Sequence, residues 1–349
     1  MYVGIDAHKK YCTCVIMDEK GNKIQETTID TTNEALEKFS RQLPQHAKVV
    51  VEASTSGVYV YDHFHTQGFE VIMAHPQKVK AIAHAKIKTD RISAEILAHL
   101  LRTDLIPEAY VPPHDIRELR DLVRHRVALA RMQASIKNKI HALLTKEGIR
   151  QGFTDLFGRD GRAFLKKVQL NTRTRMAVDN YLTVIDIIGQ KIREVQKLID
   201  TAAEQEKPLE IQALTTRFKG IGVYTALLIV AEIGDIRRFP HYKKLCSWVG
   251  LIPSTSSSGG HTYHGKITKQ GNTLVRWSMI QAAWRVIRHD PELKEHYNRL
   301  KKRIGSQKAI VATARKLTKN IYFVLQEVST PSQHQNYDTG HITPISHGP

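Results

Sequence analysis

The chain opens on a strand that ends in an acid. Residues 2–6, YVGID, put Val3 and Ile5 on one face and Gly4 and Asp6 on the other. Gly4 leaves no side chain beside Asp6, which is room for a bulky ligand to approach. A carboxylate buried there without a partner would be costly. Asp6 is therefore either a solvated strand-end aspartate or a metal ligand at a sheet edge, where other carboxylates must converge on it.

The segments that follow supply such an edge. TCVIMDE and KIQETTI, joined across Gly21 and Asn22, read as two further strands in a hairpin. Thr32 can cap a helix running through Ala35, Leu36 and Phe39 to Leu43. KVVVEAS is a short apolar run that fits a strand buried on both faces and ends at Glu52. A helical stretch through Tyr59 and Phe64 to Gly68, the strand EVIMA and Pro76 complete an α/β domain. If the first and fourth strands lie side by side, Asp6 and Glu52 meet at the C-terminal edge, where open α/β sheets bind ligands. KIKTDRISAEILAHLL then opens a helix with an apolar face of Ile92, Ile96, Leu97, Leu100 and Leu101. Asp90 stands at its start, where the helix dipole favours an anion. It fits a helix N-cap as well as a ligand, and Lys86, Lys88 and Arg91 around it suit nearby phosphates.

From Pro112 the chain turns helical and basic. Residues 114–147 carry Arg117, Arg120, Arg124, Arg126, Arg131, Lys137 and Lys139. After a loop over Gly148 to Gly161, residues 173–203 hold Tyr181, Ile185, Ile188, Ile192, Val195, Ile199 and Ala202 in heptad spacing. Packing within the chain and self-association account for that seam equally well. In FKGIGVYTALLIVAEIG, a glycine turn opens a helix, so Gly220 and Gly222 let backbone N–H groups face a phosphate; tight helix packing explains them too. The run Ser254 to Gly260 reads as a flexible, hydroxyl-rich loop with His261, His264, Lys266, Lys269 and Arg276 behind it. A glycine-serine linker has this composition, but the crowding of cations suits a hydroxyl held against a phosphate. The residues from Ser329 onward lack periodicity and read as a disordered tail.

Net charge narrows the partners. Lys and Arg total 52 against 34 Asp and Glu in 349 residues, a formal charge of +18. That excess favours a polyanion, and nucleic acid over a membrane surface, because no apolar run of spanning length, signal peptide or lipidation signature is present. Cys12, Cys14 and Cys246 make no disulfide framework; the first two read as core residues on one strand face, and the expected compartment is the cytoplasm.

Four motifs in this order, GIDAHK at Asp6, VVVEAS at Glu52, KTDRISAEILAHLLR at Asp90, and GLIPSTSSSGG followed by GKITKQGN, resemble the DEDD transposases of bacterial insertion sequences. That family includes pilin-gene invertases and bridge-RNA-guided recombinases, and the resemblance covers about residues 1–327. It implies an RNase H-like (RuvC-like) domain over 1–111, a helical coiled-coil region over 112–206, and a mostly helical C-terminal transposase domain over 207–328. The tail is then 329–349. It further implies Mg²⁺, donor and target DNA, a non-coding bridge RNA, a serine nucleophile, and a homo-oligomer, dimer or tetramer. Carried over by position, Asp6, Glu52 and Asp90 are the first three acids. The fourth falls one helical turn after Asp90, where this chain has Ser93. Glu95 is five residues on and faces elsewhere. The nucleophile falls on Ser258, with Ser257 as rival. Arg124, Arg131, Lys137, Lys139, Gly220, Gly222, Lys266, Lys269 and Arg276 are the expected nucleic-acid contacts. Two alternatives stand beside this reading: a water-using junction nuclease that needs the acids alone, and a nucleic-acid-binding relative impaired by Ser93.

Overall fold

The computed structural model describes residues 1–83, 89–258 and 261–329, with only the backbone of residues 256–258, 261, 262 and 264. The chain divides into two compact units, Met1–Pro112 and Pro113–Pro349. Lys86 and Lys88, and all of the expected tail but Ser329, lie outside the described residues.

The first unit is a five-stranded mixed sheet in the order β3-β2-β1-β4-β5. Its strands are β1 (Tyr2–Ala7), β2 (Tyr11–Met17), β3 (Lys23–Asp30), β4 (Lys48–Glu52) and β5 (Glu70–Ala74). The first three are antiparallel neighbours, while β4 and β5 run parallel to β1. The predicted adjacency of the first and fourth strands is present, with Ile5 opposite Val51 as the last rung. Asp6 and Glu52 therefore leave the same edge of the sheet.

One face of the sheet is covered by α1 (Asn33–Ser40) and α2 (Thr55–Thr66). There Val3, Ile5, Cys12, Cys14, Val49 and Val51 bury against Leu36, Phe39, Val60 and Phe64. Burial pushes the Cys12 and Cys14 thiols up, as befits core residues. Thr32 caps α1 as expected, its hydroxyl accepting from Ala35 N–H at 3.3 Å. After the short α3 (Pro76–Ile82), α4 (Asp90–Arg102) covers the opposite face through Ala94, Leu97, Ala98 and Leu101. The space beside Asp6 that Gly4 leaves open is filled by this helix rather than by a ligand. A Cβ at Gly4 would lie 2.1 Å from Ala94 O and 2.6 Å from Ala98 N. Gly4 thus sets how closely α4 approaches the sheet.

The second unit is almost wholly helical. Two long helices, α5 (His114–Lys146) and α7 (Thr172–Gln205), pack along each other, with α6 (Arg159–Lys167) between them in sequence. Their far ends share a small core of Ile140, Leu144, Leu156, Leu165 and Ile185. The heptad seam of α7 is buried or half-buried along its length, so packing within the chain accounts for it. The helices α8 (Pro208–Arg217), α9 (Val223–Ile233), α10 (Tyr242–Val249), α11 (Thr273–Val286), α12 (Pro291–Ile304) and α13 (Ser306–Ser329) form the larger core. That core also takes in Val123 of α5 and Ile199 of α7, so it crosses position 206.

The hydroxyl-rich stretch is not a loop. Pro253–Ser258 forms strand β6, paired antiparallel with β7 (His261–Ile267), and Ser258 stands opposite His261. Thr255, Thr262 and Tyr263 favour extended backbone, and two strand segments flanking a Gly-Gly pair are a hairpin signal. No helix among the described residues is long and apolar enough to cross a membrane.

Candidate active site

Asp6 and Asp90 converge from separate elements. Asp6, near the end of β1, is 8 % exposed. Asp90 opens α4, whose N-cap is Thr89, the hydroxyl accepting from Ile92 N–H at 3.3 Å. The cap being taken by Thr89, the Asp90 carboxylate is left to other partners. It accepts a hydrogen bond from the Tyr11 hydroxyl at 2.9 Å, and that bond raises the Tyr11 pKa. A third group joins them. His8 Nε2 lies 3.2 Å from Asp90 Oδ1 and 3.7 Å from Asp6 Oδ1. One donor atom from each of Asp6, His8 and Asp90 falls within 4.8 Å of the others.

His8 was not among the sequence-derived ligands. It stands two residues beyond Asp6 and just past the end of β1, where strand alternation no longer marks which face a side chain takes. His8 Nε2 is shut off from solvent and has no hydrogen-bond partner. A nitrogen left so between two carboxylates fits a cation held among the three. The Ser93 hydroxyl, one turn along α4 on its buried side, is likewise buried with no hydrogen-bond partner.

Glu52 ends β4 beside β1 but is not one of the three groups that close within 4.8 Å. Its backbone is firmly set. The Ser54 hydroxyl caps α2, accepting from Gly57 N–H at 2.9 Å, and donates to Ala7 O at 3.4 Å, tying the end of β4 to the end of β1.

In the second unit the cations expected to meet nucleic acid divide into two groups. Arg124 is engaged by Glu232, a carboxylate only 1 % exposed, through bonds of 2.6 and 2.9 Å. The same carboxylate accepts from Asn272 Nδ2 at 2.7 Å, and Arg120 donates to the main-chain carbonyls of Ala231 and Glu232. Arg276 donates to Val249 O at 2.9 Å. Arg120 and Arg124 thus join α5 to α9, and Arg276 joins α11 to the end of α10. Arg131 and Lys139 are exposed on α5, Lys137 is half-buried with its ammonium 5.1 Å from the Phe157 ring, and Lys266 and Lys269 are exposed behind the hairpin. Gly220 has φ +109°, and a Cβ there would lie 3.0 Å from Arg285 C, so close packing on α11 requires it. Gly222 is exposed and is the N-cap of α9, with no side chain capping that end.

A carboxylate and imidazole cluster at a sheet edge, in a chain with a strongly basic helical unit, is the equipment of an enzyme of phosphoryl transfer on nucleic acid. Comparison with known proteins places it more closely. Residues 3–148 match the model of DEDD transposases of IS110 elements, described as "Transposase", and residues 212–298 match "Transposase IS116/IS110/IS902 family". The chain belongs to this family and is a DNA transposase. It is 24 % identical over 302 residues to the putative transposase y4qE of Sinorhizobium fredii, covering 84 % of this chain and 73 % of that one. To y4rJ of the same organism it is 28 % identical over 301 residues, covering 77 % and 74 %. To the transposase for insertion sequence element IS1111A of Coxiella burnetii it is 24 % identical over 296 residues, covering 81 % and 78 %.

Proposed function

We propose that this transposase cuts and rejoins DNA through a serine–phosphate link made by Ser258, with Mg²⁺ held by Asp6, Asp90 and His8, and with Glu52 completing the site when substrate is bound. The observation that carries the reading is the convergence of Asp6, His8 and Asp90, one donor atom of each lying within 4.8 Å of the others. The sheet order, with three antiparallel strands followed by two parallel ones and α4 across the face, supports an RNase H-like, RuvC-like unit. When bound, Mg²⁺ would lift the repulsion between the carboxylates and draw charge from a phosphate oxygen. The protein's part is positioning. The Tyr11 hydroxyl fixes the Asp90 carboxylate, and Gly4 seats α4 so that Asp90 reaches Asp6. Ser258 Oγ forms a bond to phosphorus as the bond to one deoxyribose oxygen breaks; the hydroxyl proton passes to a base, and the sugar oxygen takes one up. Rejoining reverses the exchange, and the bond energy is kept in the link.

Sequence choice falls to a bridge RNA through base pairing, while Arg131, Lys137, Lys139, Gly220, Gly222, Lys266 and Lys269 serve the sugar–phosphate backbone. The working form is a homo-oligomer, dimer or tetramer, in the cytoplasm. The three-part division at 111/112 and 206/207 gives metal binding to the first segment, nucleic-acid grip to the second and third, and the nucleophile to the third. A second reading, hydrolysis by water, draws on the same cluster, which lies wholly within residues 1–112. A recombination assay on plasmids bearing the element tests the site. Asp6→Ala abolishes strand transfer and leaves RNA binding within about twofold; recombination by Asp6→Ala at the parent rate with Mg²⁺ present refutes the assignment.

A further inference from the structure

A cavity of about 440 Å³ lies in the helical unit where α5, α7, α9 and α11 meet. The transposition chemistry makes no use of it. Aromatic, amide and guanidinium groups line it. Trp277, Gln281 and Arg285 recur every four residues on α11, so they stand on one face of that helix, and all three line the cavity. Trp277 is 49 % exposed, a large indole face left to solvent inside a concave, polar setting. Arg126 of α5, which also lines the cavity, is held in place twice. Its guanidinium carbon lies 3.9 Å from the centre of the Tyr224 ring, and its Nε donates to Gln196 Oε1 at 2.7 Å. The cavity also holds an acid, Asp200, which accepts from Gln196 Nε2 at 2.8 Å.

We infer that this cavity takes one unstacked nucleotide of a nucleic-acid strand, its base laid on Trp277 and its phosphate met by Arg285 and Arg126. The volume falls in the range of pockets that enclose a small ligand. An indole face serves any base, because every base has a π-face. Two guanidinium groups outweigh the single carboxylate, and that carboxylate is already engaged by an amide, so the cavity favours an anion. Gln281 offers both a donor and an acceptor to a base edge. The pre-set Arg126 loses little freedom on binding. The inference rests on the chain being a nucleic-acid enzyme but not on how it breaks a bond.

The test is equilibrium binding of the full chain in EDTA, which keeps the chemistry of Ser258 and the acids out of the measurement. Fluorescent oligothymidylate and oligouridylate of about 12 nucleotides serve as the probes, read by anisotropy. Trp277→Leu keeps apolar bulk but loses the ring, and weakens binding roughly tenfold, while Trp277→Phe stays within about threefold of the parent. Arg285→Gln weakens binding and flattens the slope of log affinity against log salt by about one unit. Leu209→Ala, which removes an exposed side chain of α8 away from the cavity, changes neither. A loss confined to oligothymidylate assigns the nucleotide to DNA, one confined to oligouridylate assigns it to RNA, and a loss on both assigns it to any single strand. Parental affinity of a folded Trp277→Leu for both probes overturns the inference, as does a Trp277→Phe as weak as Trp277→Leu. If Trp277→Leu does not melt cooperatively, the Arg285→Gln salt slope decides, and an unchanged slope overturns it. Failure here leaves the catalytic reading standing, since that is judged by covalent adduct and not by binding in EDTA.

Discussion

Ser93 occupies the helical position where the resemblance implies a fourth acid, and His8 stands two residues beyond Asp6. The two observations bear on one quantity, the strength of metal binding. A hydroxyl at Ser93 brings no charge, whereas His8 places an imidazole nitrogen beside both carboxylates, a ligand type that divalent ions accept. Ser93→Asp is therefore expected to lower the Mg²⁺ concentration for half-maximal recombination severalfold, and His8→Ala to raise it. Side-by-side Mg²⁺ titrations check both, and a folded Ser93→Asp that is unchanged or impaired excludes Ser93 as a vacated ligand position. Asp6 and Asp90 were legible in sequence because each ends or begins an element whose apolar pattern is clear. His8 was not, because it lies just past the strand, where a lone histidine carries no pattern of its own. Arg124 is one of a row of cations on a basic helix, and only the fold reveals a buried carboxylate, 108 positions away in sequence, beside it.

At the scale of elements, two close approaches hold the sites in shape. Gly4 lets α4 rest on β1, so Gly4→Ala must push α4 outward and carry Asp90 with it. Overpacking of this kind costs about 2 kcal/mol, and the variant is expected to lose recombination even where it remains folded, as measured by urea unfolding and the plasmid assay. Glu232 joins α5, α9 and the start of α11. Arg124→Ala leaves that carboxylate buried with Asn272 as its remaining side-chain partner, at a cost of about 3 kcal/mol, read as a lower urea midpoint. An unchanged midpoint would show that the pair contributes nothing net. The sheet was legible, down to the adjacency of its first and fourth strands, because alternation and turn residues agree there. The β6–β7 hairpin was not, because serine has weak strand preference and its pairing with HTYH is visible only once both halves are set opposite each other. The Gly-Gly pair was the clue.

For the molecule as a whole, the excess of cations predicts binding that weakens steeply with salt. Neutralising Arg131 and Lys137 together flattens the salt slope by roughly one unit for each phosphate that is no longer paired, and an unchanged slope would place the nucleic acid elsewhere. The acids lie in the unit Met1–Pro112 and the serine in the unit Pro113–Pro349. The central claim joins those units in one reaction: the serine hydroxyl attacks DNA with the help of the acids. It is tested most directly by trapping protein on a DNA substrate in Mg²⁺ and mapping the modified residue by peptide mass spectrometry. The account predicts a phosphodiester link at Ser258, lost in Ser258→Ala, kept in Ser257→Ala and absent from Asp6→Ala. Cleaved DNA with no adduct, or an adduct that maps to Ser257 or persists in Asp6→Ala, would contradict it.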